Sequence, residues 1–171
     1  MDRHLEPYAP LDSDREQVVR FWADLVIRAN SLASGSALLM SQRSYVADRA
    51  TWAVTEITPA AGTKIFRQRY WSLAALEWAA QPLVARSDAG KALRHEHVVE
   101  RRTLKQQLEV CTSVEQAIAV LETAVACVVT KDEGKKLDRS EEIGWARYES
   151  LSIQVFDRQL RTTMDHEVIV R

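Results

Sequence analysis

Val18, Phe21, Trp22, Leu25, Ala29 and Leu32 recur at steps of three and four residues, the spacing of one apolar helix face. Ser13, with Glu16 three positions later, offers a capping box at the start of that helix, and Gly35 in SLASGS suits its end. A second helical pattern starts near Ala37 and sets Leu38, Tyr45, Arg49 and Trp52 on related faces. TWAVTEIT (51–58) fits helix or strand, and PAAG (59–62) marks a turn. TKIFRQRYW (63–71) alternates apolar and polar residues early on, as a short strand does. Ser72 can then cap a helix over LAALEWAAQ, which Pro82 ends.

Residues 82–91, PLVARSDAGK, form the expected internal linker, dividing a helix-rich half (1–81) from an α+β half (91–171). ALRHEHVV reads as a short strand and ERRTLKQQLEV as a helix. SVEQAIAVLETA is a helix with Ser113 and Gln116 as its capping box. VACVVT (125–130) is β-branched enough for a buried strand, and Thr130 with Glu133 caps the short helix KDEGKKL directly after it. GWARYESL adds a helical turn and SIQVFD a last strand. The pattern therefore predicts a helix-dominated α+β fold, its halves packed as a single domain, with a small sheet of short strands that includes 94–99 and 125–130.

Composition sharpens this only in places. Hydrophobic content of 46% supplies a core, while 5 Gly and 4 Pro argue against a loop-rich all-β chain. The net charge of -1 gives no global pull toward nucleic acid or membrane, so binding to nucleic acid needs a local basic patch. Cys111 and Cys127 are too few for a disulfide framework and sit in apolar surroundings, as reduced buried thiols do. The polar, acidic start and the lack of any long apolar run imply a cytoplasmic protein without a membrane partner.

The most chemically pointed stretch is LRHEHVV. On a strand His95 and His97 share one face and Glu96 takes the other. Two imidazoles on one face can share a metal ion, or one can bind metal while the other activates water. A hydrolytic centre needs a third protein ligand and an open position.

HEHVV resembles the first segment of the His-Me finger (HNH) nucleases, and ACVVTKDEGKKL is similar to that family's strand-to-helix junction. The resemblance spans residues 93–137. It implies a nuclease in which His97 is the general base, His95 or Glu96 is a metal ligand, and Asp132 or Glu133 completes the site for Mg²⁺ or Mn²⁺. The chain departs from the family at Glu100, where Pro is usual, and at Gly134, about where a ligand His is expected; a degenerate relative would show such changes. The spaced set EHVV, TKDE and RY is also similar to one in small bacterial or phage-borne proteins, a family mark that leaves the function open; a phage or mobile-element role in defence or counter-defence goes with the binding-protein class below.

Two further sets bear on partners. Arg94, Arg101, Arg102, Lys105, Lys131 and Lys135 crowd the second half as a candidate nucleic-acid surface, interspersed with carboxylates that can neutralise them. The five tryptophans are a high count, and RQRYW and GWARY make Arg67, Tyr70, Trp71, Trp145 and Tyr148 a candidate protein interface. The sequence thus leaves two classes open. One is an HNH-like metal-dependent nuclease acting on nucleic acid; the other is a non-catalytic protein-binding module such as an inhibitor, antitoxin or immunity factor.

Overall fold

The structure is a computed structural model that describes residues 12–32, 36–56, 65–66, 68–81 and 88–164. Its elements run α1 (Asp12–Leu32), α2 (Ala37–Thr55), β1 (Tyr70–Ser72), α3 (Leu73–Ala80), α4 (Ala89–Ala92), β2 (Leu93–His97), α5 (Arg101–Glu109), α6 (Val114–Glu122), β3 (Ala126–Thr130), α7 (Lys131–Leu137), α8 (Ala146–Ser150), β4 (Val155–Asp157) and β5 (Thr162–Thr163). The chain is α+β and helix-dominated, with a small sheet of short strands. It folds as two compact units, each drawn from separated stretches of sequence.

The helical unit takes its described residues from 11–57 and 99–125. Val19, Ala23 and Val26 of α1, Ala47, Ala50 and Val54 of α2, Leu104 and Leu108 of α5, and Ala117 and Leu121 of α6 form its core. Ala23, Ala47, Ala50 and Ala117 keep side chains short where these helices meet, so the backbones approach closely. The Asn30 amide closes the C-terminal end of α5 by donating to the carbonyls of Leu108 (2.8 Å) and Cys111 (2.9 Å).

The stripe expected to bury α1 lies largely on its outer side. Phe21 and Leu32 are 61% and 66% exposed, whereas Val19, Ala23 and Val26 are buried. α1 is apolar at helical spacing on two sides, and periodicity alone does not say which side meets the neighbouring helices.

The sheet unit takes its described residues from 58–98 and 126–171. Its strand order is β2-β3-β1-β4-β5, with β1 parallel to β3 and the other pairs antiparallel. Ser72 caps α3 as expected, its hydroxyl accepting from the Ala75 amide. Trp71, Ala75, Ala79, Ala89, Leu93 and Val128 pack with Phe66 into one core cluster.

Several local expectations change. Residues 51–55 stay helical within α2, because Thr51, Val54 and Thr55 fall on its buried side. The strand expected over 63–71 is confined to Tyr70–Ser72, with 65–66 in a turn. The expected linker 82–91 ends in helix α4, and residues 82–87 lie outside the described residues, as do Gly35 and the proposed turn at 59–62.

Candidate functional site

The β2–β3 register decides what LRHEHVV presents. Leu93 pairs with Thr130, His95 with Val128 and His97 with Ala126. Alternation then puts Leu93, His95 and His97 on one face and Arg94 and Glu96 on the other. The His95 and His97 rings meet edge to face at 5.4 Å and are half-buried. The expected pairing of imidazoles is present.

The carboxylates lie elsewhere. α7 starts at the Thr130 end of β3, whereas His97 pairs at the Ala126 end, four residues or about 13 Å along the strand. The β2 face that meets α7 carries Arg94, whose side chain crosses Gly134; a Cβ there would lie 2.9 Å from Arg94 Cδ. Gly134 is therefore the clearance for an arginine, at the position where the nuclease resemblance would call for a ligand.

Glu96 is buried between two arginines. Arg147 of α8 donates to its Oε1 at 3.1 Å, and Arg94 Nε lies 2.8 Å from its Oε2. Arg147 also donates to the carbonyls of Leu137 (3.1 Å) and His97 (3.4 Å), while Arg94 grips Asp138 through two bonds of 2.7 and 2.9 Å. Burial raises the Glu96 carboxyl above its ordinary range, outweighing the two arginines that lower it. The bond from Arg94 holds Asp138 below the usual range.

Glu133 is committed to the fold. Its Oε2 accepts from the Ser72 hydroxyl (2.6 Å), the Thr130 amide (2.8 Å) and the Thr130 hydroxyl (3.0 Å), completing the capping box predicted for α7. Asp132 is exposed and bonded to Lys135 at 2.7 Å, which lowers its pKa. Among the described residues no group of three or more His, Cys, Asp or Glu side chains could hold a metal ion. The metal set His95, Glu96, Asp132 and Glu133 is thus divided between two sheet faces and two intramolecular networks, and the donors present do not fit a shared Mg²⁺ or Mn²⁺. Replacing Glu133 with Ala should cost about 1–3 kcal/mol in urea unfolding, since it strands the Ser72 and Thr130 donors; an unchanged midpoint would contradict that structural role.

The basic residues are similarly engaged. Arg101 pairs with Asp48 and stacks over Trp52 at 4.2 Å, and Lys105 lies 3.8 Å from Glu109. Arg94 and Lys135 have the partners already named; Arg102 and Lys131 are exposed. Four of the six candidate nucleic-acid residues therefore face carboxylates of their own chain.

The candidate protein interface also needs correction. Trp71 and Tyr148 are fully buried, because β1 is central in the sheet and Tyr148 lies on the covered side of α8. Tyr70 and Trp145 are half-buried and meet edge to face at 5.1 Å, and Arg67 lies outside the described residues. Cys127 is a buried free thiol, pushed well up by burial with Glu133 nearby, and Cys111 is buried and raised as well. Neither has the depressed pKa of a nucleophile.

Compared with known proteins, the chain matches no family model, no curated protein and no solved structure. Among the described residues no helix is long and apolar enough to cross a membrane.

Arg147 is the residue that reading by sequence missed. Its signal was faint: a lone arginine beside Tyr148 in a short helix, with no acidic residue at helical spacing before it.

Proposed function

We propose that the protein is a non-catalytic protein-binding module whose docking surface lies at the N-terminal end of α2. One observation carries this reading: Leu38, Leu39, Met40 and Tyr45 are all exposed within two and a half turns of one helix. Single exposed apolar residues are ordinary, but three large ones in succession at the start of a helix, with Tyr45 two turns on and on the same side as Leu38, are a feature of interaction surfaces. Arg49 stacks over Tyr45 at 5.6 Å and donates to its hydroxyl at 3.2 Å, which orders two side chains of the kinds favoured as interface anchors. An inhibitor, antitoxin or immunity factor works in this way, by occupying a partner rather than by chemistry of its own. The divided histidines and carboxylates support the same reading.

A photo-crosslinking residue at position 38, with a control at exposed position 149, tests it in the producing cells. One protein should crosslink reproducibly at 38 and not at 149, and Met40→Glu with Tyr45→Glu should abolish the product. Alongside, wild type and His97→Ala should leave plasmid, single-stranded DNA and RNA uncut with Mg²⁺ or Mn²⁺. A chelator-sensitive cut that falls about 10²–10⁴-fold in His97→Ala would replace this proposal with the nuclease.

A further inference from the structure

We infer that a second copy of this chain docks along α1, antiparallel to the first. The outer side of α1 carries Val18, Phe21, Leu25, Ala29 and Leu32, with Phe21 and Leu32 exposed and the other three half-exposed. At 100° per residue, Leu32 stands about 180° and Phe21 about 160° round the helix from the buried Ala23. The stripe extends about 21 Å from Val18 to Leu32, long enough to form a continuous helix–helix seam.

Charge selects the occupant. Asp24 and Arg28 are exposed, one turn apart on the same flank of the stripe. An antiparallel pair with its two-fold axis at Val26 puts Asp24 opposite Arg28 of the second copy, and Arg28 opposite its Asp24. The same axis brings Leu25 beside its own counterpart and Phe21 within one residue of Leu32 of the second copy. A parallel two-fold pair would instead send the second copy's Asp24 and Arg28 to the opposite side of the seam, where neither charge meets its complement. One face that satisfies itself in this reciprocal way is what an isologous two-fold contact requires. The ion pairs choose orientation and register, while the apolar stripes supply the attraction. This inference uses α1 residues alone and stands whether or not α2 takes a separate partner.

Sedimentation of the full chain over a range of micromolar concentrations should show a reversible dimer. Phe21→Asp and Leu25→Asp should each give a monomer with unchanged circular dichroism, since both positions lie off the core. Asp24→Arg alone, and Arg28→Asp alone, should each weaken the dimer about 5–30-fold, because each turns two attractions into repulsions. The double swap Asp24→Arg/Arg28→Asp should restore it to within about threefold of wild type. A chain that stays monomeric would overturn the inference, as would a dimer indifferent to α1 changes. Single reversals that the swap does not rescue would overturn the antiparallel register. None of these results alters crosslinking at position 38, so the two proposals fail separately.

Discussion

Replacing Arg147 with Met should lower stability at pH 7 by about 3–5 kcal/mol, read from urea unfolding. The Arg147 residue is only 2% exposed, and it joins Glu96, the Leu137 carbonyl and the His97 carbonyl. Methionine fills much of the space but supplies no donor, leaving a carboxylate that is 6% exposed with Arg94 as its remaining cation. The pH dependence of the defect has a definite sign. Burial already raises Glu96 in the folded chain, and Arg147 is among the groups that pull it down. A raised folded value means that the cost of the charge is present above that value and gone below the ordinary carboxylate range. Removing Arg147 raises Glu96 further, so the defect should shrink as pH falls from 7 toward that range. Glu96→Gln added to Arg147→Met should likewise recover stability at pH 7. A defect that is constant with pH would show that lost packing, and not the stranded charge, is responsible.

Trp71→Ala should cost about 3–5 kcal/mol and leave the crosslinking proposed at position 38 unchanged in the folded fraction. Trp71 has no exposed surface; it packs with Phe66, its ring centroid 6.0 Å away, and its indole donates to the Gln68 carbonyl at 3.0 Å. Phenylalanine is the control. It keeps most of the apolar volume and loses the indole bond, but the Gln68 carbonyl still accepts from Arg158 at 3.0 Å. Trp71→Phe should therefore cost only about 1–2 kcal/mol. Loss of crosslinking at position 38 by fully folded Trp71→Phe would return this tryptophan to the interface.

Elements with local determinants were legible in the sequence. Ser72 and Thr130 cap the helices they were expected to cap, and β2, β3, α5, α6, α7 and α8 fall where alternation, β-branching and capping placed them. Ser113 accepts from the Gln116 amide, but the Gln116 side chain reaches the Thr112 amide, so half of that expected box is replaced by a neighbouring bond. What depended on distant pairing was not legible. α1 offers two apolar sides, and only the rest of the helical unit selects Val19, Ala23 and Val26. The site shows the same division. Alternation correctly put His95 beside His97, and applied to Arg94 and Glu96 it would also have paired those two charges on the opposite face. Arg147 was beyond reach because 51 residues separate it from Glu96.

The order in which the chain is made has a consequence for how it can fold. β2 and β3 lie side by side, yet residues 98–125 intervene, and most of that stretch completes the helical unit. During synthesis α1 and α2 emerge long before α5 and α6, so Ala47, Ala50 and Val54 must wait for Leu104, Leu108, Ala117 and Leu121. β1 waits longer still, for both of its neighbours, β3 and β4. A ribosome paused near residue 100 would hold a chain with neither core complete and much apolar surface uncovered, a natural client for chaperones. Once α5 and α6 dock, they draw the ends of the intervening stretch together and reduce the entropy lost when β2 meets β3. The helical unit is thus expected to gain protection from hydrogen exchange before the sheet does during refolding.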